Sequence, residues 1–594
     1  MKKSGIILLG AMCLSLISCT KQNSGPQAKL FYAYSTENLM ADWNYFDKEN
    51  EENEIFLDRD YTLRYNGLKN ENIAMQLMIH ANEYISSFDF VAPDVKNENG
   101  DVIPSTMFSV GAEWYQDVTI SKEIDAYSGL YPDAIIPMEN YKFRRMDHIQ
   151  KDRNQGIWIS LDTTNEVKAG KYTGNGTLKL DEKEYSIPFE VTIYDAEMPV
   201  ENHLKTGFLI WYQEIINGEG NNDSPELHKA YYDFLVNKRI SPGEMPDQYY
   251  TSAQVFADSA AELVGDPRVS GLRLPGGVAA NFSISKAREY LKALVNKNVS
   301  LRKAGNNVDL LKKCYFYIDD EPTPNQYERV KTHDKEVYDL KQELLPLVAD
   351  YPDLQESLLK INNLVTVQYN DQLVGTPEEG GVQTWCPQAH NFQTVSSRNT
   401  YKERMEYNGR PGGEGVFWYV CEAPNNPYPN YHLDGNLLFT RTFKYMQYAY
   451  GIQGEIHWNI CNYSKTTNSF VTGRDIWYDP LTWEKCNGDG FLVYPGKEYG
   501  INGPITTLRL ESIMNANEDY EYQWMINEKV QEYNAAHSTN YVTTELLQSF
   551  YSKLFKDMKT TCDSVVFEEQ HNQLLSLVET LYTNLDAGMA KLIK

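Results

Sequence analysis

The chain has 594 residues, and 82 acidic against 55 basic side chains give it a formal charge of −27. A prior of roughly 150 residues per domain, stretched for barrels, allows two to four domains, and the charge excludes a phosphate backbone or an anionic membrane surface as a natural partner. The 43 tyrosines and 10 tryptophans lean towards a neutral substrate with flat faces, because rings exposed in a cleft stack on sugars, although most rings fill cores.

The first residues, MKKSGIILLGAMCLSLISC, set Lys2 and Lys3 before a short apolar run, the pattern of an export signal over 1–18. Ser18 before Cys19 reads as a bacterial lipobox, so the mature chain is expected to start at a lipid-modified Cys19, exported and anchored to a bacterial membrane. An ordinary signal peptide with an incidental cysteine is the alternative. No later stretch has the roughly 18 apolar residues of a membrane helix, which leaves the lipid as the only expected anchor. Of the eight cysteines, the six beyond Cys19 (Cys314, Cys386, Cys421, Cys461, Cys486, Cys562) fall in no C-x-x-C or Cys/His spacing, so no metal site is predicted. Four of them sit in or beside apolar, strand-like runs and read as small buried residues, with one disulfide left open.

After a polar tether (19–27), residues 28–200 alternate turn signals with the runs AKLFYAYS, IAMQLMIHA, GIWISLD and YSIPFEVTIYD, which predicts an antiparallel β-sandwich. Within it, residues 170–176 read as a strand interrupted by tight turns. From 201 to 530 strands alternate with helices. Eight candidate strands, at 207–212, 240–245, 271–275, 314–319, 364–369, 382–385, 415–421 and 455–461, predict a (β/α)8 barrel, whose catalytic residues project from the C-terminal strand ends. Helices are expected after the Ser224-Pro225 start signal, from Ser285 through Leu294, and from Leu437 to Tyr450 before Gly451. A polar and aromatic segment, 462–504, is too long for an ordinary connection and is either functional or disordered. The rest reads as the last barrel helix followed by C-terminal helices over 531–594.

The strand Tyr315-Phe316-Tyr317-Ile318 ends in Asp319-Asp320-Glu321-Pro322. Three carboxylates in a row repel one another, which favours keeping one protonated and able to serve as a general acid. A solvated acidic turn or a divalent-cation site is the bland reading. In a regular strand Asp319 and Glu321 share a side and Asp320 faces away, so either the pleat breaks near Asp320 or Asp319 shares its role. Strand-end rings at Trp211, Tyr369, Trp385, Trp418, Tyr419 and Trp458 are candidate sugar platforms, with Asn370, His457 and Asn459 as polar partners; core filling is equally open for each. His390 and His432 read as solvated loop histidines.

These acids, together with Trp418-Tyr419-Val420-Cys421 and Pro427-Tyr428-Pro429-Asn430, the stretch from Tyr450-Gly451-Ile452-Gln453-Gly454 to Trp458, Gly488-Asp489-Gly490, Arg509-Leu510-Glu511 and Glu518-Asp519-Tyr520-Glu521-Tyr522, resemble glycoside hydrolase family 123 over about 30–530. The resemblance implies an exo-acting, retaining β-N-acetylgalactosaminidase that uses substrate assistance and no cofactor. Its partner would be a glycan or glycolipid ending in N-acetylgalactosamine (GalNAc), and no nucleic acid. It also implies that Asp320 orients the 2-acetamido group and that Glu321 protonates the leaving oxygen. Glu422, after the seventh predicted strand, opens an alternative in which Glu321 is acid/base and Glu422 the nucleophile. A non-catalytic glycan-binding lipoprotein is the second alternative.

Overall fold

The computed structural model describes residues 27–46, 61–466, 469–470, 475–483 and 485–594. The export signal and Cys19 lie outside the described residues.

Among the described residues, eleven strands form the N-terminal sandwich. One sheet runs β1 (Ala28–Tyr34), β3 (Asn72–Ala81), β9 (Asn154–Asp162), β7 (Phe108–Val118), β8 (Gly129–Pro137), all antiparallel. The other runs β2 (Leu63–Lys69), β11 (Lys183–Glu197), β10 (Gly170–Leu180), β5 (Val95–Asn97), β6 (Val102–Ile103), with β4 (Phe88–Val91) also on β10 and β2 pairing β11 in parallel. Leu77 and Ile159 from the first sheet meet Leu178, Phe189 and Val191 from the second in one core. The predicted break at 170–176 is absent, and β10 is continuous. Its glycines serve clearance: a Cβ on Gly176 would lie 2.8 Å from the Phe90 ring and 3.0 Å from the Phe189 ring.

The first sheet is covered on its outer face as well. Ala74, Ile135 and Trp158 pack there against Leu437 and Leu508, from helices Leu437–Ala449 and Leu508–His537. That second covered face explains why IAMQLMIHA carries no polar alternation.

Among the described residues the barrel has seven parallel strands: β12 (Lys205–Phe208), β13 (Leu272–Arg273), β14 (Cys314–Asp320), β15 (Asn362–Thr366), β16 (Thr384–Trp385), β17 (Gly415–Tyr419) and β18 (Gly454–His457). The order is β12-β18-β17-β16-β15-β14-β13. The predicted second strand, at 240–245, is reduced to a bridge that closes the ring. Phe208 N donates to Ser241 O at 3.0 Å, Gly243 N to Phe208 O at 2.9 Å, and Arg273 N to Gly243 O at 2.8 Å. Pro242 has no N–H to extend that ladder. The first predicted strand is also shorter, since Trp211 caps the helix Tyr212–Gly218.

Tyr315, Leu364, Cys386, Phe417 and Ile456 fill the lumen, with Tyr317 and Tyr419 packed against them. Helices form as expected at Pro225–Asn237, where the Ser224 hydroxyl accepts from Leu227 N, and at Ile284–Lys303. Leu508–His537 runs unbroken through the expected boundary at 530. Beyond it, Ser564–Thr583 returns to the sandwich: Thr36 Oγ1 donates to Ser564 Oγ at 3.0 Å, and Asp195 N to Glu579 Oε1 at 2.9 Å. All six cysteines beyond Cys19 are free, five of them buried.

Candidate active site

The lumen core supports a polar layer at the C-terminal strand ends. The register of β14 on β15 slips between Tyr317 and Asp319: Tyr317 pairs Leu364, Asp319 pairs Val365 and Asp320 pairs Thr366. Ile318 is the extra residue of a bulge. Tyr317 packs in the lumen cluster, Ile318 and Asp319 point outward, and Asp320 returns inward. The pleat therefore breaks where the acids require it. Asp319, fully buried, receives Arg329 Nε and Arg329 Nη2 at 2.7 Å each, so it is an anchor to the helix Tyr327–Leu344.

Asp320 Oδ1 accepts from Tyr317 Oη at 2.5 Å and from Thr366 Oγ1 at 2.8 Å. Among the described residues nothing bonds Oδ2, and the side chain is exposed. Burial and the Asp320 carboxylate push the Tyr317 phenol well above its ordinary pKa, which keeps it a donor. Glu321 follows at a left-handed φ of +43°, its N–H donating to Thr366 Oγ1 at 2.8 Å. That conformation is uncommon outside glycine and turns the side chain away from Asp320's course. Tyr419 Oη, held protonated by burial and by Glu321, donates to Glu321 Oε1 at 2.5 Å.

Two cavities meet at Glu321. The larger, about 810 Å³, contains Trp211, Asp320, Glu321, Tyr419, His457 and Trp458 from the predicted set, and also Glu422. The smaller, about 370 Å³, contains Tyr369 and Asn370 and shares Glu321, Thr366 and Tyr419 with the larger. Trp385, Trp418 and Asn459 line neither. Trp385 is buried with its indole N–H on Glu414 Oε2 at 2.9 Å; Trp418 is buried and stacked on Phe443 at 4.1 Å; the Asn459 amide oxygen caps Cys461 N at 3.1 Å. These three support the wall instead of forming it, as half of any barrel's strand residues must.

Burial pushes His457 down to about 3, so it is neutral, and its Nδ1 bears the hydrogen because Val420 O lies 3.2 Å away. His432 is not solvated as expected. It is buried between Glu123 Oε1 at 2.5 Å and Cys421 O at 2.8 Å; burial opposes its charge, yet Cys486 and Glu123 raise it well above the usual histidine range. His390 is half-buried and packs edge-on to Tyr428.

Five side chains of the larger cavity or its support were not predicted. Arg273, on β13, pairs Glu244 at 3.1 Å and lies over the Tyr317 ring. Trp483, from the long segment after the last strand, packs edge-on to Trp458, which itself meets Trp211 at 5.4 Å. Asp489 accepts the Trp458 N–H at 3.0 and 3.2 Å; burial pushes it up to about 6. Lys122 reaches in from the sandwich, its Nζ donating to Glu422 O at 2.7 Å. Thr366 joins the two acids. The aromatic richness of 462–504 signalled Trp483; nothing local to Lys122 pointed to a site 200 residues away.

Residues 285–526 match the model of the glycoside hydrolase 123 catalytic domain, and residues 41–180 match that of the glycoside hydrolase 123 N-terminal domain. The chain belongs to glycoside hydrolase family 123. A family 123 glycoside hydrolase from Clostridium perfringens has the same fold, with a TM-score of 0.59 at 12% identity over 94% of this chain and 100% of that one. A Parabacteroides merdae β-glucuronidase overlaps loosely, with a TM-score of 0.26 and 8% identity over 76% of this chain and 53% of that one. No curated protein matches the chain. As a family 123 enzyme the protein is a glycoside hydrolase, and the matched catalytic segment contains Asp320, Glu321, Tyr419, Trp458 and Asp489. The N-terminal match contains Lys122, so both family segments meet in the larger cavity.

Proposed function

We propose that the protein is an exo-acting, retaining β-N-acetylgalactosaminidase that uses its substrate's acetamide as nucleophile and acts on glycans or glycolipids ending in GalNAc. The carrying observation is the unequal holding of two adjacent acids: Asp320 is fixed through one oxygen by Tyr317 and Thr366, and Glu321 through one oxygen by Tyr419. Asp320 Oδ2 then accepts the acetamide N–H and stabilises the positive charge that grows as the acetamide oxygen attacks the anomeric carbon. Glu321 gives its proton to the leaving oxygen and afterwards takes one from the water that opens the oxazolinium ring. Neighbouring acids suffice because neither has to attack from the opposite face. Trp211, Trp458 and Trp483 offer apolar faces for the sugar. The Clostridium perfringens relative is described as hydrolysing glycolipid glycans, which supports a glycolipid among the substrates. Export and lipid anchoring at Cys19 belong to the same proposal, resting on the N-terminal sequence.

Glu422 lines the same cavity and keeps a second reading open, with Glu422 as enzyme nucleophile. Nitrophenyl β-glycosides separate the two. Turnover of the galactosaminide and not of the parent galactoside supports acetamide assistance; turnover of the parent sugar supports Glu422. A thiazoline mimic of the intermediate is expected to inhibit competitively, and no inhibition would count against substrate assistance.

A further inference from the structure

At the N-terminal end of the barrel, opposite the acids, the lumen is left open. Every second residue of a strand shares a side, so the positions two before the lumen residues Leu364, Cys386 and Phe417 put Asn362, Thr384 and Gly415 in the lowest layer. Gly207 faces the lumen as well, since a Cβ on it would lie 2.2 Å from the Tyr315 hydroxyl, and two before it stands Lys205. Barrels ordinarily fill such a layer with branched apolar side chains. Here Lys205, Asn362 and Thr384 instead line a separate cavity of about 380 Å³.

Its polar groups are unspent. Thr384 is 2% exposed, yet its Oγ1 has no hydrogen-bond partner among the described residues, and neither has Asn362 Oδ1. Gly415 marks where the side chains converge: a Cβ there would lie 3.0 Å from Gln453 Oε1, 3.1 Å from Thr384 Oγ1 and 3.2 Å from Asn362 Nδ2. Gln453 Oε1 already accepts from Val416 N at 3.3 Å, which leaves the hydroxyl and the amide N–H groups as the donors to spare. Lys205 supplies the charge. Among the described residues no carboxylate pairs with it, and burial holds its ammonium below the ordinary lysine range. Glu414, the acid in the lining, is committed elsewhere: both its oxygens accept from Arg404, and one also accepts the Trp385 indole N–H at 2.9 Å. Water can satisfy a hydroxyl or an amide, but it brings no counter-charge to a buried ammonium.

We propose that this cavity binds a small oxyanion of the phosphate, sulfate or carboxylate class, held by Lys205 Nζ, Thr384 Oγ1 and Asn362 Nδ2. The site is distinct from the acids, because the layer of Tyr315, Leu364, Cys386, Phe417 and Ile456 lies between them.

Titration calorimetry of the protein in chloride buffer with phosphate, sulfate and acetate tests it. At least one of the three should bind saturably, one per chain, with a Kd on the order of 1 mM or tighter. Lys205→Met should weaken that binding ~10- to 100-fold and Thr384→Val ~3- to 10-fold, the weights of a charged and a neutral hydrogen bond. Gly415→Ala, whose methyl fills the point of convergence, should weaken it too, whereas Lys122→Ala, in the cavity with the acids, should bind the anion unchanged. Lys205→Met removes an uncompensated ammonium and should melt no lower than the unaltered protein in chloride buffer. No saturable binding of any of the three anions, or equal binding in Lys205→Met, overturns the site. Binding lost in Lys122→Ala and kept in Lys205→Met also overturns it, placing the anion beside the acids. If Lys205→Met melts lower, the lysine is structural and Gly415→Ala decides: unweakened binding there overturns the proposal.

Discussion

Asp320 and Glu321 are neighbours with different supports, so their variants should fail differently. On the proposed mechanism, Asp320→Asn keeps the shape but removes the charge that would face the oxazolinium; kcat should drop ~10²- to 10³-fold on every substrate, good leaving groups included. Glu321→Gln should lose ~10²- to 10⁴-fold on sugar leaving groups and far less on activated aryl ones, because only the former need a proton. Kinetics on a series of aryl glycosides read both. A second residue-scale prediction concerns Glu113 in β7, a buried carboxyl seated over Gly156 and bonded by Tyr115 Oη at 3.2 Å. Burial pushes it from 4.5 up to about 8. The folded state therefore holds this proton more tightly than the unfolded chain: its stability contribution is full below the ordinary carboxylate range, shrinks above it, and is gone past about 8. The melting temperature should fall across that window, and Glu113→Gln should flatten the fall. The acid run was readable as chemistry from its composition. Which acid faces the lumen was not, because that depends on Ile318, an ordinary strand residue.

The strand β14 and the 119–128 loop are the elements that make the site. The bulge sets Asp319 on Arg329 and Asp320 on Thr366, so a carrier of this chemistry has to include the segment from Tyr317 to Pro322 with Thr366 and Tyr419, not two carboxylates alone. Between β7 and β8, Glu123 holds His432, the Asn426 backbone N–H and Asn430, thereby fixing the loop that follows Glu422. Glu123→Ala leaves a buried histidine charge uncompensated and should cost about 3–5 kcal/mol by denaturant unfolding. It should also lower kcat/KM, although the residue touches no substrate. Long periodic elements were legible, as the Ser224-capped helix and β11 show. Pairing was not: Pro242 limits 240–245 to a bridge, and the glycines of β10 looked like turns because the Phe90 and Phe189 rings they accommodate are distant in sequence.

Sandwich, barrel and C-terminal helices pack on one another. Arg509, buried at the start of the helix Leu508–His537, donates through Nε and Nη2 to Asp133 of β8 at 2.7 and 2.8 Å, and through Nη1 to Gly488 O at 2.8 Å beside Asp489. Asp133→Asn should thus weaken both the junction and the wall that seats Trp458, seen as a lower melting temperature together with a raised KM for the galactosaminide. The succession of sandwich and barrel was legible from the change in strand grammar near residue 200; the junction was not, since Asp133 and Arg509 are 376 positions apart. The first sandwich sheet has barrel helices on its outer face, with Trp158 against Leu437 and Leu508. A sheet covered on both sides offers no surface that a foreign module could adopt. Domain shuffling would leave either half with an exposed apolar scar, so the two family segments of this chain are expected to be inherited together, and a gene encoding the barrel without its sandwich should be a non-functional fragment.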